Sequence, residues 1–175
     1  WQLNSAPFEN NLDTRFYFEA ESHHAALLKL RYMIENDKGA GLIVGGTGFG
    51  KSFVLNVLSE ALEGPFGPFI HLVFPRMSAG ELLSYIAIEL GAREEMLRRD
   101  ASALDRTVRT IQQQIRQFNS QGRHPVLLID EAGQYALADA LALLGKTSVD
   151  VVITEVGGSH AIENGQIGRA SCRER

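Results

Sequence analysis

The sequence predicts an α/β protein in which a mostly parallel sheet lies between two layers of helices. Two observations support this fold class. Short apolar runs with strand character alternate with segments whose apolar residues recur at helical spacing. A glycine-rich stretch joins the first of these runs directly to a helix. We therefore expect a three-layer sandwich with the sheet in the middle.

The predicted elements follow one another in a regular order along the chain. The predicted strands share short apolar runs and lie at 42–44, 69–74, 126–130 and 149–153. The predicted helices share apolar residues three or four positions apart and lie at 22–36, 53–62, 78–90, 101–119 and 134–144. Ser78 and Glu81 form a capping-box signature for one helix start. The run Gly64-Pro65-Phe66-Gly67-Pro68 is expected to break regular structure before the second strand.

The stretch from Gly45 to Ser52 matches G-x-x-x-x-G-K-[ST], the phosphate-binding P-loop. Glycine adopts conformations closed to other residues, so successive N–H groups can turn inward around an anion. Lys51 is expected to contact the β- and γ-phosphates of ATP, and the Ser52 hydroxyl is expected to bind Mg²⁺. The predicted nucleotide-binding residues are Gly45, Gly46, Thr47, Gly48, Phe49, Gly50, Lys51, Ser52 and Phe53. The alternative is a plain glycine-rich turn, which needs fewer glycines and no Lys-Ser at this offset.

A second pattern, Val126-Leu127-Leu128-Ile129-Asp130-Glu131, places two acids after four apolar residues, as in a Walker-B strand. A buried parallel strand delivers such acids to the carboxyl edge of the sheet, where ligands bind. Asp130 is the predicted magnesium ligand together with Ser52. Glu131 is the predicted catalytic base for water, and Lys51 is the second predicted catalytic residue. The alternative is a strand that ends in two solvated acids, and the P-loop upstream disfavours it.

Several segments resemble the AAA+ ATPases of the ExeA/GspA type, which are linked to general secretion pathways and related to transposition helper ATPases. The resemblance covers residues 7 to about 132 and is carried by Pro7-Phe8, Asp13-x-Arg15-Phe16-Tyr17-Phe18, His23, Ala26-Leu27-x-x-Leu30, GGTGFGKS and LLIDEA. The loop and the acidic strand end are specific for the ATPase class. The aromatic lead-in narrows the resemblance to this branch.

The resemblance implies a P-loop NTPase of the AAA+ type whose last strand lies between the P-loop strand and the acidic strand. That strand would end in a polar sensor of the γ-phosphate, here Thr154. The resemblance further implies a homo-oligomer in the longer protein, an arginine supplied by a neighbouring subunit, and a chain truncated before the helical lid. It also implies that Phe16 to Phe18 lie near the adenine, although such a cluster is more often core.

We divide the chain into a lead-in segment (1–20), an ATPase core (21–166) and a non-native tail (167–175). Residues 133–166 do not resemble the family. A second interpretation therefore treats the sequence after about residue 132 as out of frame or chimeric, with the central strand missing or wrong. The tail resembles the translation of a sequencing adapter, and a polar native tail is the alternative.

Composition limits the classes of function. A net charge of −4 over 175 residues gives no whole-chain argument for nucleic-acid binding. No apolar run approaches the roughly 20 residues that span a bilayer, and a nucleotide-binding loop favours a cytoplasmic location. The single cysteine, Cys172, provides neither a disulfide framework nor a zinc site.

Three functions therefore compete at this stage. The first is ATP binding and Mg²⁺-dependent hydrolysis in a secretion-type system, the second is a transposition helper ATPase that binds DNA, and the third is a small-molecule kinase. Asp130 and Glu131 favour water as the phosphate acceptor, and no acceptor-binding motif supports the kinase.

One helix carries arginines on a similar face, which we interpret as a solvated face and not as a phosphate stripe: Arg99, Arg106, Arg109 and Arg116.

Overall fold

The computed structural model describes residues 12–62, 64–73, 77–93, 103–130 and 149–156. The strands of this part are β1 (Ala40–Gly45), β2 (Phe66–Val73), β3 (His124–Asp130) and β4 (Asp150–Val156). The helices are α1 (Glu21–Glu35), α2 (Lys51–Ala61), α3 (Ala79–Glu89) and α4 (Ala103–Ser120). All described strand pairs are parallel, in the spatial order β1-β4-β3-β2. The predicted α/β fold class is thereby confirmed.

The side chains of β3 alternate between two apolar clusters on opposite faces of the sheet. Val126 and Leu128 belong to the cluster formed with α1 and α2. Leu127 and Ile129 belong to the cluster formed with α3 and α4. All four side chains are at most 1% exposed. A strand that is apolar on both faces needs a cover on both, which is why the sheet is the middle layer of three.

Strand β4 occupies the centre of the described sheet. It pairs with β1 on one side and with β3 on the other, as the resemblance implies. It begins at Asp150 and extends beyond the predicted end at Ile153 to Val156. The central strand that the resemblance implies is therefore present. The helix predicted over 134–144 lies outside the described residues.

The capping box predicted at the start of α3 is present. The Ser78 hydroxyl oxygen accepts a hydrogen bond from the Glu81 N–H at 3.4 Å, and the Glu81 carboxylate accepts one from the Ser78 N–H at 2.9 Å. Both donors would otherwise lack partners at the end of the helix. Helix α2 begins two residues before its predicted start, so Lys51 and Ser52 belong to its first turn.

One sequence expectation was wrong in detail. Strand β2 begins at Phe66 and not at 69, because Phe66 already pairs with His124 before a register shift that ends at Phe69. Pro68 is tolerated there since β2 pairs, among the described strands, with β3 alone. In the lead-in, Thr14–Phe16 forms a 3-10 turn, and the Asp13 carboxylate caps it by accepting from the Arg15 N–H.

The carboxyl group of Asp150 is buried at the amino-terminal edge of the sheet, at the opposite end from the P-loop. It is 6% exposed and accepts a hydrogen bond from the Gly39 N–H at 3.1 Å. Burial raises the pKa of Asp150 from 3.8 to about 6; the Gly39 bond and His124 oppose this rise, and Asp37 adds to it. Near neutral pH this carboxylate is therefore charged in an unfavourable environment.

Replacing Asp150 by Asn is expected to raise the free energy of unfolding near pH 7 by up to about 3 kcal/mol. The folded-state pKa lies above the unfolded value, so the native carboxyl costs nothing below about pH 4 and progressively more as the pH rises to about 6. Asn keeps an acceptor for the Gly39 N–H without a charge. Urea unfolding at about pH 4 and about pH 7.5 should show the stabilisation at the higher pH only. An equal difference at both values would contradict this account, and Asp150→Ala, which removes the acceptor, controls for the hydrogen bond.

Candidate nucleotide site

The predicted site residues meet where β1, β4 and β3 end, at the carboxyl edge of the sheet. Ile43 pairs with Thr154, and Ile129 pairs with Ile153. Since these strands are parallel, the loop after β1, the end of β3 and the polar residue of β4 come to the same edge. Segments that are far apart in the sequence thus become neighbours.

The loop between β1 and α2 has the backbone of an anion-binding turn. Gly48 and Gly50 have φ values of +81° and +73°, which side-chain-bearing residues rarely adopt. The first hydrogen bond of α2 runs from the Val54 N–H to the Gly50 carbonyl at 2.9 Å. The N–H groups of residues 51–53 come before this bond, at the positive end of the helix dipole. The loop and the helix start therefore offer several backbone donors at one place.

Lys51 is folded back over this loop. Its side chain is buried, and its ammonium donates hydrogen bonds to the carbonyl oxygens of Gly45 at 3.0 Å and Gly46 at 2.9 Å. A Cβ built on Gly45 would lie 3.7 Å from Cδ of Lys51, so the glycine leaves room for the lysine stem. An ammonium has three donors, and the two loop carbonyls use two of them. The ammonium is thus held by carbonyl groups of the loop that matches the P-loop pattern.

The remaining loop residues differ in exposure. The Phe49 side chain is 68% exposed, and a Cβ on Gly46 would lie 3.4 Å from its ring. Thr47 is exposed, whereas Ser52 and Phe53 are half-buried in the first turn of α2. Ser52 therefore follows Lys51 in the first turn of α2, as the motif requires.

The carboxylate of Asp130 is 4% exposed at the end of β3. It accepts a hydrogen bond from the Thr154 hydroxyl at 2.5 Å, and Thr154 is itself fully buried in β4. This bond connects the predicted magnesium ligand with the predicted sensor. Sequence analysis predicted the two residues separately, and the pairing of β3 with β4 in the structure brings them into contact.

The predicted catalytic base and the predicted magnesium site need separate comment. Glu131 lies outside the described residues. Within the described parts, there is no group of three or more His, Cys, Asp or Glu side chains that could hold a metal ion. A Ser52–Asp130 site would therefore bind Mg²⁺ with few protein ligands, as Mg²⁺ sites beside phosphates commonly do. The donor set of hydroxyl and carboxylate oxygens fits that ion.

The lead-in segment packs against the start of α2. The Tyr17 ring lies 5.8 Å from the Phe53 ring and 6.4 Å from the His23 ring, measured between centroids. Burial raises the pKa of Tyr17. By contrast, Phe18 is 80% exposed. Sequence analysis did not place His23 at the site, because one histidine at the start of a helix carries no spacing signal.

A family model described as an AAA domain matches residues 34–157, which is well over half of the chain. This chain belongs to the AAA domain family. The matched region includes the P-loop, Asp130 and β4. The AAA domain is therefore a nucleotide-binding P-loop ATPase domain of the AAA+ type.

Two solved structures are also similar to the AAA domain, both of Drosophila ORC with Cdc6. The one bound to GC-rich DNA is 12% identical, with a TM-score of 0.45 over 80% of this chain and 52% of that chain. The one bound to AT-rich DNA is 12% identical, with a TM-score of 0.43 over 85% and 54%. The chain thus spans about half the length of these structures. No curated protein shows significant sequence similarity to it.

Among the helices of the described ranges, none combines the length and the apolar character needed to cross a membrane.

Proposed function

We propose that this AAA domain binds ATP with Mg²⁺ and hydrolyses it to ADP and phosphate. The observation that carries the proposal is the position of Lys51. Its side chain is buried over a glycine loop at the edge of the sheet where β3 ends with Asp130. A positive side chain, free backbone donors and a carboxylate for the metal are the parts that phosphoryl transfer needs.

Each residue of the site receives a role in this proposal. The N–H groups of the loop hold the phosphates, and the Lys51 ammonium exchanges its carbonyl partners for phosphate oxygens. Ser52 and Asp130 hold Mg²⁺, which when bound neutralises charge on the β- and γ-phosphates. Glu131, the residue after Asp130, accepts a proton from the attacking water.

Thr154 is proposed as the sensor of the γ-phosphate. Its hydroxyl already donates to Asp130, so a change at the phosphates alters the same hydrogen bond that orients the metal ligand. Thr154 is 0% exposed and pairs with Ile43 of β1, so its hydroxyl would be costly to bury without a hydrogen-bond partner. The bond to Asp130 satisfies it.

We further propose that the longer protein is a secretion-type ATPase that assembles into a homo-oligomer and completes the site with a neighbour's arginine. The division into a lead-in (1–20), a core (21–166) and a non-native tail (167–175) belongs to the same proposal. A transposition helper that binds DNA remains the second candidate, on the resemblance described above. The exposed arginines of α4 do not favour DNA, since Arg109 is paired with Asp105 at 3.0 Å on the same helix.

The test is phosphate release from ATP by the full-length protein, measured with Mg²⁺, with EDTA and with duplex DNA. We expect release that EDTA abolishes and that needs no added acceptor. Dependence on a small-molecule acceptor would indicate a kinase instead. Strong stimulation by DNA would favour the transposition role over the secretion role. Absence of nucleotide binding in the full-length protein would refute the proposal.

A further inference from the structure

His23 lies in the first turn of α1 and reaches the P-loop from outside. Its Nε2 atom lies 2.9 Å from the carbonyl oxygen of Phe49. A carbonyl oxygen can only accept, so the contact is a hydrogen bond in which Nε2–H donates. A Cβ built on Gly50 would lie 3.3 Å from Cε1 of His23. The imidazole therefore bonds to Phe49 and lies beside Gly50, where a side chain would have little room.

This hydrogen bond fixes the direction of the next backbone donor. In a planar trans peptide the C=O and the following N–H point in opposite directions. Because His23 holds the Phe49 carbonyl toward α1, the Gly50 N–H is directed away from α1. Gly50 directly precedes the N–H groups of residues 51–53 at the start of α2, so its N–H is the adjoining backbone donor of the loop.

The orientation of His23 is itself supported by its neighbours. The Tyr17 ring is stacked on the imidazole with an interplanar angle of 22°, and the same ring packs against Phe53 of α2. The imidazole thus lies between the lead-in segment and the loop. Its rotation is restricted from both sides.

We propose that His23 is a positioning residue for phosphate binding, which presents the Gly50 N–H to the phosphates by holding the Phe49 carbonyl. This inference rests on the proposed function, since it requires phosphate in the loop. His23 does not touch the nucleotide in this arrangement. The expected effect of His23 is therefore on the binding of the phosphates and does not depend on the adenine base of the nucleotide.

The decisive comparison is between variants of His23 that keep or remove the donor. His23→Phe keeps an aromatic ring beside Tyr17 and removes the N–H, whereas His23→Gln places an amide N–H at a similar reach. We expect His23→Phe to raise the Kd of both Mg-ATP and inorganic tripolyphosphate about three- to tenfold in calorimetric titrations. His23→Gln should remain within about twofold of the wild type. His24→Phe, the same change one residue along at an exposed position, is the matched control and should have no effect.

Three outcomes would overturn the inference. Equal affinities of His23→Phe and the wild type would remove the positioning role, and loss of ATP binding with unchanged tripolyphosphate binding would indicate a contact with the base. In the unmodified protein, imidazole ¹⁵N shifts that place the only proton on Nδ1 would exclude the hydrogen bond, whether or not a variant folds. A wild type that binds neither ATP nor tripolyphosphate would refute the proposed function itself. That result is distinct from the three above, in which the wild type binds phosphate.

Discussion

Lys51→Ala is expected to weaken ATP binding by at least about a hundredfold and to abolish measurable hydrolysis. The ammonium is the only side-chain cation in the loop, and it is held within hydrogen-bond distance of the Gly45 and Gly46 carbonyls. Its removal leaves the phosphates with backbone donors alone. Fluorescence titration with a labelled ATP analogue measures the affinity, and phosphate release measures the turnover.

The controls for this variant separate charge from structure. Lys51→Met keeps an aliphatic stem beside Gly45 and should lose ATP to a similar extent. Lys38→Ala removes an exposed lysine from the turn before β1 and should leave affinity and turnover unchanged. ATP affinity that is the same in Lys51→Ala, Lys51→Met and the wild type would refute the assignment of this loop.

Glu131→Gln is expected to lower the rate of ATP hydrolysis at least about a hundredfold while ATP affinity stays within about twofold. Glutamine has nearly the same shape as glutamate but cannot take a proton from water. In the sequence, Glu131 directly follows Asp130, which ends β3 at the edge where the loop lies. Single-turnover hydrolysis with bound ATP separates the chemical step from binding.

A variant of the neighbouring polar residue gives the comparison for Glu131. Thr154→Val removes the hydroxyl that donates to Asp130 with little change of shape, and we expect a loss of turnover nearer tenfold. Full turnover by Glu131→Gln would remove this residue as the base. A large loss of ATP affinity in the same variant would assign it to binding instead.

The parts of the fold that the sequence predicted well depend on local signals. The Ser78–Glu81 capping box, the glycine loop and the apolar run before Asp130 each show in a few adjacent residues what the backbone does. The position of β4 could be stated in advance only through the resemblance. Nothing in Asp150–Val156 alone indicates which strands it will pair with.

The parts that were missed depend on contacts between distant segments. Strand β2 starts at Phe66 because His124 pairs with it, although the flanking glycine and prolines read as a turn. The same holds for the site. Neither the Thr154–Asp130 bond nor the reach of His23 to Phe49 has a spacing that periodicity could reveal.

The first turn of α2 contains Lys51 and no acidic side chain. A positive charge therefore lies at the positive end of the helix dipole, which is an unfavourable electrostatic combination when no anion is near. This unfavourable arrangement is present in the domain without a ligand, and a bound polyanion compensates for it. Bound nucleotide therefore stabilises the folded domain as well as being its ligand. When the nucleotide concentration falls, we expect the local stability of the β1–α2 junction to fall too.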